Sequence, residues 1–116
     1  MAYLAYVALG GALGSTCRAL VGLAVGFPFG TLTVNVAGSF AIGLAFASGL
    51  GERAFGPLIM VGFLGGFTTF STFSLDVLKL VESGSAGSAF GYVAASLALS
   101  FGAVWLGVLL GARLGA

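Results

Sequence analysis

Four long apolar runs, parted only by short turn-forming stretches, constrain this chain more than any other feature. They cover roughly residues 2–25, 30–49, 55–80 and 89–112. A helix needs ~20 apolar residues to cross the core of a bilayer, and each run supplies that length. The breaks read Gly26-Phe27-Pro28-Phe29-Gly30, then Gly51-Glu52-Arg53, then Glu82-Ser83-Gly84-Ser85-Ala86-Gly87-Ser88, and turn residues dominate them. None is long enough to hold a second domain. The expected architecture is one all-α membrane domain of four transmembrane helices over residues 1–116. An even number of crossings puts both termini on one face, here called side A, with side B opposite.

Composition agrees and excludes several function classes. A chain 59% hydrophobic and 6% charged is that of a multi-pass membrane protein. The first run is expected to remain as a span, since it leads into further spans and not into a small-residue cleavage site. Histidine is absent and Cys17 is the single cysteine, so no disulfide framework or within-chain metal cluster is expected. Glu52, Asp76 and Glu82 offer no carboxylate pair for acid–base chemistry, and an enzyme is not expected. The four scattered Lys and Arg residues make no nucleic-acid patch.

The same cations speak to orientation. Arg53 and Arg113 fall on side A, and Arg18 and Lys79 lie toward side B. Orientation normally follows an excess of Lys and Arg in cytoplasmic loops. Lacking that excess, the chain is expected to insert both ways round; the alternative is that a partner or the translocon fixes one orientation. Small residues recur every four positions, at Gly10, Gly14, Gly22 and Gly26 in the first run and at Ala103, Gly107, Gly111 and Gly115 in the fourth. Such stripes let helices approach closely in lipid. A chain with so little interior is expected to be a homo-oligomer.

The third run carries the oddest local sequence, GFLGGFTTFSTF at residues 62–73. Glycine costs ~1 kcal/mol per helical position relative to alanine, and neighbouring threonines crowd at χ1. Backbone freed at membrane depth is tolerated only where protein or a wet cavity satisfies it. Gly65, Gly66, Thr68 and Thr69 therefore read as a helix interrupted for function.

Polar residues gather in the side-B half. At ~1.5 Å per residue, Arg18 lies ~10 Å and Asn35 ~8 Å inside the side-B ends of their spans. Ser71, Thr72 and Asp76 share that half, as do Tyr92 and Ser96, whose series continues to Ser100 near the midplane. One copy thus lines half a crossing, and an inverted second copy would complete it. Hydroxyls, an amide and the positive edges of phenyl rings suit a small anion, which Arg18 would concentrate at the mouth. Each residue also has a plainer role. Ser96 and Ser100 could bond back to the carbonyl four residues earlier. Phe70 and Phe73 could face lipid or pack, and Asn35 could hold a structural partner. Arg18 could snorkel to the surface. Asp76 is expected to pair with Lys79 or Arg18, or to cap a turn. Trp105, Tyr3 and Tyr6 read as lipid or interfacial anchors and Cys17 as a small hydrophobe.

These residues resemble the Fluc/CrcB fluoride channels along nearly the whole chain. The likeness runs through Gly10-Gly11-Ala12-Leu13-Gly14 with Arg18, then Gly30-Thr31-Leu32-Thr33-Val34-Asn35 with Gly38 and Phe40. It continues through the string at residues 62–73 with Asp76, and ends with Tyr92, Ser96 and Ser100. The resemblance implies an antiparallel, dual-topology homodimer in the inner (plasma) membrane that passes fluoride passively outward. It implies a structural Na+ at the dimer centre, held by the backbone carbonyls of Gly65 and Thr68. It places Asn35, Phe70, Ser71, Thr72, Phe73, Tyr92, Ser96 and Ser100 on the anion pathway and Arg18 in the vestibule. Two positions depart from the family pattern: Ala19 stands where an aromatic residue is common, and Asp76 where glutamate is. A small dual-topology drug exporter would share the size and weak charge bias but would want an acid in the first span. A purely structural membrane subunit would explain the glycines but not a polar track confined to one half.

Overall fold

The computed structural model describes residues 1–115, and all of their regular structure is helical. In chain order it contains α1 (Ala2–Val25), α2 (Phe29–Ala47), a 3-10 turn (Leu50–Glu52), a π-helical stretch (Leu58–Phe63), α3 (Leu64–Phe67), α4 (Ser71–Glu82) and α5 (Ala86–Gly115). Four stretches are long and apolar enough to cross a membrane: Ala2–Val25, Phe29–Ala47, Leu58–Glu82 and Ala86–Gly115. The last begins earlier and ends later than its apolar run suggests, because the Ser85 carbonyl already accepts the Ala89 N–H at 2.9 Å.

The turns follow from particular residues. Gly26 takes φ 88°, which a Cβ would oppose, and its N–H returns to the Gly22 carbonyl at 2.9 Å; Pro28 follows at once. Gly49, at φ 81° and ψ 5°, closes α2 in the left-handed conformation. Pro57 precedes the third span at φ −60°, where a missing N–H leaves no helical bond unmade. That span opens with i→i+5 geometry, continues through the single turn of α3, and regains α-helix at Ser71. Between α3 and α4 the backbone of Thr68 is extended, at φ −83° and ψ 160°.

Two helix pairs make the body: α5 packs along α2, and α1 packs along the π-helical stretch and α3. Glycine permits both contacts. A Cβ on Gly43 would strike the Val104 carbonyl, one on Gly107 the Phe40 carbonyl, and one on Gly111 the Leu44 carbonyl. On the other pair, Gly10 lies against Leu58 and Phe63, Gly14 against Phe63, and Gly66 against Gly11. Gly22 instead abuts Gly30 of α2.

The interior is small, with Val34, Ala45, Leu64, Phe73, Ala89 and Tyr92 its buried hydrophobic members. Large apolar side chains such as Phe46, Phe90, Phe101, Trp105 and Leu114 point outward. Apolar cover of that extent around every helix is what lipid, not water, solvates.

Candidate functional site

The site begins with three backbone groups around Thr69. In a continuous helix the Thr69 N–H would bond the Gly65 carbonyl; here it donates to Asn35 Oδ1 at 2.8 Å. Asn35 Nδ2 donates back to the Thr69 carbonyl at 3.0 Å, so one amide side chain from α2 grips both sides of one residue. The Thr72 N–H, whose helical partner would be the Thr68 carbonyl, donates to Thr69 Oγ1 at 3.2 Å. Thr69 thereby caps the start of α4 in the usual manner of a Thr three residues ahead of the N–H it binds. Thr68 turns its own hydroxyl back to the Leu64 carbonyl at 3.0 Å. The Gly65 and Thr68 carbonyls are released from helical pairing as a result.

The Gly66 carbonyl is treated differently. It accepts Arg18 Nε–H at 3.0 Å, and Ser15 Oγ approaches the same oxygen at 3.5 Å. Arg18 is therefore turned inward onto the third span instead of snorkelling to a surface. Ser15 was not among the sequence candidates, although its place three residues before Arg18 puts the two on one face of α1.

Beside these groups lies a groove of about 300 Å³. Asn35, Phe70, Phe73, Ser96 and Ser100 line it, together with Gly65 and Thr68. Ser39, which drew no attention in the sequence, lines it too. The rings of Phe70 and Phe73 lie 5.7 Å apart at 52°, and Phe73 meets Tyr92 at 5.4 Å and 42°. Phe73 is buried and Phe70 is 76% exposed, so one ring belongs to the fold and the other faces outward. Ser96 Oγ is buried with no hydrogen-bond partner. The back-bond to the preceding turn is not made, and a buried hydroxyl left alone calls for a ligand or water in the groove.

Other candidates sit elsewhere. Asp76 does not pair with Lys79 or Arg18. It is 4% exposed and accepts the Tyr92 O–H at 3.0 Å. Lys79 instead stands 5.7 Å from the Phe27 ring centre. The tyrosine phenol reaches Asp76 because both face inward between α4 and α5, a relation of azimuth that spacing along either helix does not encode. Its single proton is thereby committed, and Tyr92 lines a separate cavity with Leu32, Leu80 and Ala95. Thr72 lines a third cavity with Arg18 and Thr31, and Ser71 is exposed, with Oγ 3.4 Å from Thr69 Oγ1. Tyr92→Phe is expected to lower stability by about 1–3 kcal/mol by leaving a buried acid unpartnered. Asp76→Asn, which keeps an acceptor, should cost less. Thermal unfolding in detergent reads both, and equal midpoints for Tyr92→Phe and the parent would mean that the contact carries no stability.

Helices of this length and apolarity around a polar groove define a multi-pass α-helical membrane protein. The chain belongs to the CrcB-like family: the family model described as "CrcB-like protein, Camphor Resistance (CrcB)" matches residues 5–108. It is 49% identical over 116 residues to a protein of Rhodospirillum centenum named fluoride-specific ion channel FluC, covering 90% of each chain. A protein of the same name from Opitutus terrae is 50% identical over 114 residues, covering 88% of this chain and 86% of its own. Another, from Acidobacterium capsulatum, is 44% identical with 98% of both chains covered. These names describe channels, not enzymes.

Proposed function

We propose that this chain is a fluoride channel. Two copies inserted in opposite orientations in the inner membrane form an antiparallel, dual-topology homodimer, through which fluoride leaves the cytoplasm passively. The observation that carries the reading is the convergence of the lone Ser96 hydroxyl, the Asn35 amide and the Phe70 and Phe73 ring edges on one groove that no carboxylate lines. Donors and positive ring edges stabilise a small hard anion. The outward-facing Phe70 and the exposed Gly65 lie on the side available to a second copy. An exporter of cations would want an acid in the first span, and α1 carries Arg18 and no acid.

Energetics gives the direction. Neutral HF crosses lipid and dissociates at the higher cytoplasmic pH, and a negative-inside potential then drives the anion out with ~2.3 kcal/mol per charge per 100 mV.

A structural Na+ at the dimer centre belongs to the same proposal. The interruption of the third helix leaves the Gly65 and Thr68 carbonyl oxygens without helical partners. Neutral carbonyls of an unwound membrane helix are suitable ligands for such an ion. Gly65 and Thr68 of each copy would hold it, and it would supply charge to offset four converging carbonyl dipoles. Asn35 and Thr69 keep those carbonyls from re-entering the helix.

Purified protein in liposomes loaded with fluoride or chloride tests the reading. Fluoride should leave rapidly and in response to an imposed potential, with chloride retained. Chloride efflux as fast as fluoride efflux would overturn it.

A further inference from the structure

We infer that Arg18 is a positioning residue that acts through its Nε–H, not through its charge: by engaging the Gly66 carbonyl it determines which carbonyls of the third span remain free. Three successive acceptors are affected where helical bonding lapses. The N–H groups that would have met Gly65 and Thr68 are taken by Asn35 and by the Thr69 hydroxyl. The Gly66 carbonyl lies between them and is the one given a new donor, Arg18 Nε at 3.0 Å, with Ser15 Oγ at 3.5 Å. The contact joins residues 48 positions apart and ties α1 to the Gly65–Phe70 backbone. Its partner on the other flank is the two-way bond between Asn35 and Thr69. With both flanks held, the peptide planes in between have one orientation. Without Arg18, Gly66 becomes an unpaired acceptor at membrane depth, and the plane is free to rotate toward any donor it can find.

The alternative role for Arg18 is electrostatic, gathering anions at the mouth. Side-chain geometry separates the two. The amide nitrogen of glutamine stands the same number of bonds from Cβ as arginine Nε, so Arg18→Gln keeps a donor at that point and removes the charge. Arg18→Met keeps a similar length and removes both.

The inference rests on the proposed cation site, and the experiment distinguishes failure of either. Thermal unfolding of the purified protein is followed in detergent against NaCl concentration, with choline chloride holding ionic strength, and fluoride efflux from liposomes is measured in parallel. Arg18→Met should need about tenfold or more Na+ to reach half of its stabilisation, while Arg18→Gln stays within about twofold of the parent. Equal shifts in the two variants, or none in either, would overturn the role of the Nε–H. Should Arg18→Met not fold, Arg18→Gln against the parent still decides, because a tenfold rise there makes the charge the active element. If the parent shows no response to Na+, the cation site is wrong, and efflux then decides for Arg18. Efflux kept by Gln and lost by Met supports the positioning role, and equal rates sink it.

Discussion

Fluoride efflux from liposomes carrying Asn35→Asp is expected to be at least about a hundredfold slower than from the parent, while the protein still elutes as a folded species. Two effects add. The aspartate can still accept the Thr69 N–H, now made at 2.8 Å, but it has nothing to donate to the Thr69 carbonyl, which the amide reaches at 3.0 Å. A carboxylate oxygen facing that carbonyl repels it. The second effect is the charge itself, on the wall of the groove. At ~4 Å and an effective dielectric constant of ~20, a like charge costs a passing anion ~4 kcal/mol, which alone approaches a thousandfold. Asn35→Ser should fall between, since it keeps a neutral hydroxyl without the two-way grip. Parent-like rates for Asn35→Asp would remove both the grip and the pathway along that wall.

The second large effect is expected from one methyl group. A Cβ at Gly107 would strike the Phe40 carbonyl oxygen and lie 2.9 Å from the Leu44 backbone nitrogen. Both obstacles are main chain, so relief requires α5 to move off α2. Overpacking of this kind costs about 1–3 kcal/mol and occasionally more. Gly107→Ala should therefore unfold at a markedly lower temperature in detergent. Gly102→Ala on the same helix is the control: nothing lies within 4 Å of its Cβ, and it should gain up to ~1 kcal/mol of helix propensity. If the two variants unfold together, α2 and α5 do not owe their closeness to Gly107.

The helical class and the four membrane-length stretches were legible because run length and apolarity are properties of one dimension. The contacts of the stripes were legible in kind for the same reason: glycines four apart share a face whatever they touch. Gly107 and Gly111 accordingly meet α2, and Gly10 and Gly14 meet the third span. What remained hidden was azimuth between helices. Depth counting put Arg18 and Asn35 in the right half, but their partners, Gly66 and Thr69, lie 48 and 34 positions away. The Asp76 partner was missed for the same reason. Charge attraction suggested Lys79, one helical turn away, whereas a tyrosine on a facing helix supplied a hydrogen bond with no charge involved. A local signal did exist for Thr69, the spacing Thr69-x-x-Thr72, which suits a helix cap.

The π-helical stretch Leu58–Phe63 carries a further consequence. Its surplus residue sets the rotation of everything downstream. A frame-preserving loss of one codon in this window would tighten it to ordinary α-helix and turn the following residues by about 100°. Hydropathy would scarcely register the change, yet Gly66 and Thr69 would swing away from Arg18 and Asn35. Small deletions inside an apolar segment are commonly taken as mild; in this window the phase of the helix, not its greasiness, is the inherited quantity.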